Sequence, residues 1–252
     1  MMNMKHCFLC MLAALTMMSC VKLNVKMDSS PEAAMTFQVD PFEVIELSGS
    51  PTVRFVQSDS VSVRAEGPKD QLDRLRLSSS KGRLVIEPRD KLIDLGSNGI
   101  GHVVIYITSP DLIGVALSGS GDFECQGLLD TDTLQLALRG SGDITFESLV
   151  CDYVKAEVLG SGEIELKRAE TQWAYLSLVG SGEVEAALKN TRRADILLKG
   201  SGDMTVNFDN CRQAHCDMSG SGDVELSGSL EKLTQQVSGS GDLDTKRLRY
   251  GN

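Results

Sequence analysis

Basic residues are in short supply. The 252-residue sequence has 25 Lys and Arg against 35 Asp and Glu, a formal net charge of −10. This balance disfavours nucleic acid and anionic membrane surfaces as direct partners. Histidine is also scarce: beyond residue 19 only His102 and His215 remain, and neither has Cys or Asp at the spacing of a metal site or a catalytic triad. No G-x-G-x-x-G motif leads into a helix, so nucleotide binding of that type is not indicated.

The N-terminal segment predicts a signal peptide over residues 1–19. Lys5 precedes an apolar stretch from Phe8 to Met18 that is too short for a transmembrane helix. The segment ends at Ser19-Cys20 and resembles a bacterial lipobox, although Met17 stands where Leu, Val or Ile is usual. The resemblance implies cleavage before Cys20 and lipid attachment there. The alternative is an ordinary secretory signal with an incidental Cys.

Residues 20–36, which include Ser29, Ser30 and Pro31, predict a flexible tether. In lipoproteins of bacteria related to Bacteroides, surface export is associated with acidic residues just after the acceptor Cys. Residues 21–26 contain no acid. The sequence therefore predicts a cell-envelope, outer-membrane lipoprotein that faces the periplasm and contacts the membrane through its lipid anchor.

Residues 37–110 predict a β-rich cap with imperfect coils. Short alternating runs at 42–47, 53–56, 61–65, 84–87 and 103–107 are typical of strands. A proline followed by leucines three apart, over residues 68–75, predicts one short helix or helical turn. The sequence Ser48-Gly49-Ser50-Pro51 is interpreted as a degenerate copy of a turn that recurs later in the chain.

That turn, Gly-Ser-Gly followed by an acid, occurs seven times and begins at positions 119, 140, 160, 180, 200, 220 and 239. A short and nearly fixed period predicts a solenoid, with regular coils and a C-terminal cap over residues 111–252. The glycine pairs are Gly119 and Gly121, Gly140 and Gly142, Gly160 and Gly162, Gly180 and Gly182, Gly200 and Gly202, Gly220 and Gly222, and Gly239 and Gly241.

Apolar residues alternate on both sides of each turn, which predicts strands with one buried face. The same alternation places both glycines inward and the Ser and the acid outward. An inward Cβ at such a corner would collide with the core or the neighbouring coil, whereas Gly avoids the collision and permits positive φ. Coils paired in parallel, about 4.8 Å apart, would stack these corners into ladders.

These repeated turns, behind a β-rich N-terminal half and a lipoprotein-like signal, resemble the bacterial family called putative auto-transporter adhesin, head GIN domain, over residues 37–248. The resemblance implies an all-β, right-handed, single-stranded parallel β-helix at the cell envelope, with one coil for each period of the motif. It supplies no catalytic residues, so the expected function is a non-catalytic, adhesin-like binding module without a cofactor.

The outward acids predict a carboxylate ladder on one face. Stacked carboxylates repel one another, and Ca²⁺ would relieve the repulsion. The simpler interpretation is a solvated ladder that caps turn amides. Neighbouring carboxylates also match the spacing of a retaining glycosidase pair, so a polysaccharide-active enzyme is an alternative, although nothing singles out one pair. The ladder consists of Asp122, Asp143, Glu163, Glu183, Asp203, Asp223 and Asp242.

Several apolar residues fall at outward positions and predict an exposed strip across three coils, with Trp173 and Tyr175 expected in adjacent coils. Such strips mark glycan or protein contacts unless another segment covers them. A structural scaffold of the envelope is the remaining alternative. The four cysteines beyond Cys20, at 125, 151, 211 and 216, are expected as small buried apolar side chains. The strip residues are Leu159, Trp173, Tyr175, Val179 and Leu197.

Overall fold

The computed structural model describes residues 30–89 and 100–251. It is nearly all β, with 76% strand and 2% helix. The predicted signal peptide at 1–19, lipid attachment at Cys20 and tether residues 20–29 lie outside the described residues. Within the described ranges, no helix has the length and apolar character needed to cross a membrane.

Seventeen strands and one helical turn make up the described chain. In order they are β1 Glu32–Phe37, β2 Phe42–Gly49, β3 Thr52–Gln57, β4 Ser62–Pro68, α1 Lys69–Leu72, β5 Leu75–Ser80, β6 Gly82–Pro88, β7 Val104–Ser109, β8 Gly114–Gly119, β9 Asp122–Asp130, β10 Thr133–Gly140, β11 Asp143–Gly160, β12 Glu163–Gly180, β13 Glu183–Lys189, β14 Arg193–Gly200, β15 Asp203–Gly220, β16 Val224–Gly239 and β17 Leu243–Tyr250.

From β8 onward, each coil pairs in parallel with the next. The second halves of β11 and β12 run in register through Val158↔Leu178 and Gly160↔Gly180, and β12 continues the ladder into β14. The result is a β-solenoid of about 7 turns, with stacked coils of about 20 residues. The prediction of an all-β solenoid whose coils follow the period of the motif is confirmed.

Each coil has three faces. In the coil of β11, between one motif and the next, the inward-facing positions switch from even to odd residue numbers and back again, and each switch marks a bend. The buried side chains of this coil include Ile144 and Phe146, then Leu149 and Cys151, then Val154 onward. We call residues 153–160 and their equivalents the approach face, residues 143–146 and equivalents the acidic face, and residues 147–152 and equivalents the back face. The buried side chains of all three faces form one core.

The motif is a corner at which one coil touches the next. Gly160 has a φ of +137°, and the amides of Ser161 and Gly162 both donate to the carbonyl oxygen of Gly140, at 2.9 and 3.1 Å. A Cβ added at Gly160 or Gly162 would overlap a glycine carbonyl oxygen of the preceding coil. The predicted reason for glycine is therefore confirmed, and the obstacle is the backbone of the neighbouring coil.

The N-terminal region contributes a complete coil to the same stack. Ser48 and Gly49 pair with Ser118 and Gly119, so the turn at residues 48–51 is a true copy of the repeated corner. This coil, β2 and β3, lies between two coils that follow it in the chain. On one side β2 and β3 pair with β6 and β7, and on the other side with β8 and β9.

Antiparallel strands close the N-terminal end. β1 pairs with β4, β4 pairs with β7, and β5 pairs with β6, each antiparallel. The tether predicted over 20–36 is wrong at its C-terminal end, because Glu32–Phe37 forms β1. This segment is mostly exposed, and buried and exposed side chains do not alternate clearly along it. Its strand conformation comes from backbone pairing with β4. The predicted helical turn is present as α1.

At the C-terminal end, β17 pairs with β16. Inward positions of this last coil are less buried than in earlier coils: Val237 is 45% exposed and Gln235 stands where other coils have an apolar residue or cysteine. The four cysteines beyond Cys20 are buried and free. Burial raises the pKa of Cys125 to about 12 and that of Cys216 to about 11, so these thiols remain protonated.

Candidate binding surfaces

The acidic face carries the carboxylate ladder in register. Asp143 pairs with Glu163, Glu163 with Glu183, and Glu183 with Asp203. Two positions further along each strand, Thr145, Glu165, Glu185 and Thr205 form a second column beside the first. The fold therefore brings together acids that are a whole coil apart in sequence.

Partial burial and mutual repulsion act on this ladder. Desolvation, followed by the charge of Asp143, raises the pKa of Asp122 and of Glu163. Desolvation and the neighbouring Glu185 raise the pKa of Glu183. The raised values fall on three ladder acids that lie in three different coils.

Groups of the chain itself partly satisfy the ladder and the second column of acids beside it. Arg54 lies 3.1 Å from Glu124, and Lys167 lies 3.7 Å from Glu165. Towards the C-terminal end the motif acids accept hydrogen bonds from the next corner, such as that from the Asp242 amide to Asp223 Oδ1 at 2.9 Å. Among the described residues, no group of three or more His, Cys, Asp or Glu side chains is placed to hold a metal ion.

The approach face carries an aromatic patch, which we define as Tyr153, Trp173 and Tyr175. Tyr153 and Trp173 are register partners in successive coils, and Trp173 is 46% exposed. Tyr175 is half-buried and follows Trp173 by two positions on β12. The expectation that Trp173 and Tyr175 occupy adjacent coils is wrong: they share one coil, because positions two apart on a strand project from the same face.

Charged side chains frame the patch. Lys155 Nζ lies 5.7 Å from the centre of the Tyr175 ring and 2.9 Å from Glu157. On the other side Arg193 makes a bidentate pair with Asp195, with Nε–O distances of 3.0 and 2.9 Å and an Nη2–O distance of 2.7 Å. Mutual pairing raises the pKa of Arg193, so this cation stays charged.

The remaining strip residues do not join the patch. Leu159 and Val179 are register partners beside the corner, 46% and 38% exposed. Leu197 is half-buried in a different column, between Ser177 and Asp217. The predicted single strip is therefore two separate features, an aromatic patch and an aliphatic pair, with Leu197 apart from both.

The back face holds two shallow grooves that the sequence reasoning missed. One, of about 380 Å³, includes Arg168, Glu170 and Lys189, and the other, of about 300 Å³, includes Thr131 and Asp152. A polar ladder runs between them, in which Asn190 donates to Glu170 at 2.7 Å and Asn210 donates to Asn190 at 2.8 Å. Both asparagines have a φ of +56°. Asn190 and Asn210 stand at the same position before the first glycine of the following motif, and this recurrence was the sequence signal that could have indicated the ladder.

The comparisons with known proteins agree on one fold. The profile of a family described as putative auto-transporter adhesin, head GIN domain, matches residues 41–210 and 189–252. A solved structure described as a putative adhesin, from Bacteroides fragilis, is 23% identical with a TM-score of 0.76, over 85% of this chain and 97% of that one.

Two further solved structures come from Parabacteroides. A putative lipid binding protein from P. distasonis is 21% identical with a TM-score of 0.65, over 85% of this chain and 97% of that one. A putative adhesin from P. merdae is 17% identical with a TM-score of 0.62, over 85% and 96%. At these identities the likeness shows the fold alone. No curated protein matches the sequence.

Proposed function

The chain belongs to the putative auto-transporter adhesin, head GIN domain family, and from that premise we propose that it is a non-catalytic, adhesin-like module that binds glycans through the aromatic patch. The observation that carries the proposal is the exposure of Trp173, at 46%, beside Tyr153 and Tyr175 on a flat strand face. Aromatic rings in such a position offer apolar faces to the C–H side of a sugar ring, while their edges remain polar.

The solenoid gives this patch a rigid support. Beneath it the inward residues of the same strands, Val154, Ala174 and Leu176, are at most 3% exposed. The strands that carry the rings are consequently held by a packed core, and little backbone entropy is lost when a ligand binds. The raised carboxylate pKa values on the acidic face fall in three separate coils rather than at one isolated site, which favours a binding role over catalysis.

A glycan array tests the proposal. We expect the full-length chain to bind at least one glycan class, and the double variant Trp173→Ala, Tyr175→Ala to lose about tenfold or more in affinity, because stacking area is removed. Tyr250→Ala is the matched control: this tyrosine is 57% exposed but lies on β17, remote from the patch. Running the array with and without Ca²⁺ shows whether the acidic face contributes.

Two results would count against this function. If the double variant binds as the wild-type chain does, the aromatic patch is not the site. If the wild-type chain binds no glycan and instead retains an envelope protein in pull-down experiments, the chain acts as a scaffold. Release of sugar fragments from any polysaccharide on the array would point to an enzyme instead.

We also propose that the module is an outer-membrane lipoprotein, anchored at Cys20 and facing the periplasm. The support is the lipobox-like sequence and the lack of acids at residues 21–26. Metabolic labelling with a fatty acid should label the wild-type chain but not Cys20→Ala. Protease added to intact cells should leave the protein uncut, whereas cleavage would place it on the outer surface.

A further inference from the structure

Beside the aromatic patch the approach face contains a basic hollow of about 270 Å³. It is lined by Arg193, Gln213, Ala214, His215, Lys232 and Thr234. Trp173 is the register partner of Arg193, Arg193 of Gln213, and Gln213 of Lys232, so one column runs from the ring into the hollow. A second column runs in parallel from Tyr175 through Asp195 to His215. Patch and hollow are therefore one continuous surface.

The charge of the hollow is opposite to that of the chain as a whole. Arg193 is held by Asp195, which is the only acid directly beside its guanidinium among the described ion pairs. Lys232 is exposed and takes part in none of the ion pairs found within residues 30–89 and 100–251. Asp217 lies two positions after His215 on the same outward face, and Glu231 precedes Lys232, but neither lines the hollow. Lys232 is thus the free cation of this surface.

We propose that the ligand of this surface is an anionic saccharide, with one sugar ring on Trp173 and the acidic group of a neighbouring sugar in the basic hollow. The inference rests on the proposed function and adds the class of glycan. A carboxylate or sulfate in the hollow accepts charge-assisted hydrogen bonds from Lys232 and Arg193, which are shorter and stronger than bonds between neutral groups. Gln213 and Thr234 supply neutral donors for sugar hydroxyls.

The net charge of −10 does not oppose this assignment. The carboxylate ladder lies on the acidic face, on the other side of the Gly-Ser-Gly corner. At physiological ionic strength, charges separated by more than about 8 Å in solvent are largely screened. The local composition of the approach face therefore decides which ligand binds. The column from Trp173 to Lys232 extends along the solenoid axis at about 4.8 Å per coil. The proposed glycan therefore lies along this axis.

The test compares an acidic saccharide with its neutral counterpart and with a sulfated saccharide. Isothermal titration of the full chain with tetragalacturonic acid, with its carboxyl-reduced neutral form and with a sulfated tetrasaccharide separates carboxylate from sulfate. We expect the wild-type chain to prefer an acidic ligand to the neutral one by about tenfold, the effect of one charge-assisted contact. Lys232→Gln should remove most of this preference by weakening the binding of the acidic ligands, because it removes the unpaired cation of the hollow.

Lys199→Gln is the matched control, because Lys199 is exposed on the same face but lies in the column of Val179, outside the hollow. It should keep the full preference. Equal affinity of the wild-type chain for acidic and neutral ligands would overturn the inference and leave glycan binding intact. Equal losses in both lysine variants would also overturn it, by showing general charge attraction. Binding of no saccharide at all would remove the proposed function together with this inference.

Discussion

At the scale of single residues, one column of the back face shows how small buried polar side chains bond to the backbone. At the same place before successive motif glycines stand Thr131, Cys151, Thr171, Thr191 and Cys211, all buried. Thr171 Oγ1 donates towards the carbonyl oxygens of Trp173, at 3.1 Å, and Asp152, at 3.3 Å. Cys211 Sγ approaches the Leu188 oxygen at 3.4 Å. Thr171 and Cys211 thus add side-chain hydrogen bonds to backbone carbonyl oxygens of the back face and its neighbourhood.

Thr131 is the exception, because its buried Oγ1 has no hydrogen-bond partner. A buried unsatisfied hydroxyl destabilises the fold, so Thr131→Val should raise the free energy of unfolding by about 1 kcal/mol. Thr171→Val, at the equivalent position, should lower it by about the same amount, since it removes the donor to Trp173 and Asp152. Urea unfolding measures both changes. Shifts of the same sign in the two variants would contradict this account.

At the scale of elements, the corner glycines fix the distance between coils. Gly160→Ala introduces a Cβ at a φ of +137° and against the Gly140 carbonyl oxygen. A φ of +137° is sparsely populated by residues other than glycine and disfavours alanine by about 1–3 kcal/mol, and the overlap with fixed backbone adds about 1–3 kcal/mol. We expect Gly160→Ala to lower the free energy of unfolding by about 3 kcal/mol, as measured by thermal or urea denaturation.

Gly127 provides the comparison for that prediction. Its φ is +78°, but an added Cβ would meet no atom within 4 Å. Gly127→Ala should therefore cause only the loss due to positive φ, about 1–2 kcal/mol. If the two variants lose equal stability, the contact between coils does not explain the motif.

The regular elements were predictable because their signal repeats. Alternation around seven equivalent turns identified the buried columns and the inward glycines, and each copy supported the others. The N-terminal arrangement was not predictable in this way. Antiparallel partners hold β1 and β5, with Glu32 opposite Pro68 and Leu75 opposite Pro88, and no periodic pattern records which strand pairs with which. The common face of the acids followed from parity, and the same rule, applied to residues two apart on one strand, places Trp173 and Tyr175 together in one coil.

At the scale of the whole molecule, the carboxylate ladder couples stability to pH. A carboxyl group with a raised pKa binds protons more readily in the folded than in the unfolded chain, so its contribution to stability is lost as pH rises from its ordinary value through the folded value. For Glu183, with an ordinary value of 4.5, this window lies above pH 4.5. Glu183→Gln should therefore unfold at higher urea than the wild-type chain at pH 7, and the difference should shrink as pH falls towards 4.

Glu170 gives the opposite sign. Hydrogen bonds from Asn190 and Lys189, followed by the charge of Lys189, lower its pKa, so it stabilises the fold above its ordinary value of 4.5 and loses this effect as pH falls through the lower folded value. Glu170→Gln should lower the urea midpoint at pH 7 and approach the wild-type value in acid. Parallel pH profiles for both variants would show that the ladder does not set the pH dependence.

The coil of β2 and β3 has a consequence for the order in which a nascent chain becomes structured. Later coils rest on neighbours about one period earlier in sequence, so each can be added as soon as it is available. The contact between Thr52 and Asp122 instead spans 70 positions, and such distant closure is slow. When the chain forms from its N-terminus, β2 and β3 can first pair with β6 and β7, but they gain β8 and β9 on their other side only once the chain has reached Asp122 and beyond. The N-terminal part of the chain thus delays the first stage of folding. Each later coil then adds only contacts that are local in sequence.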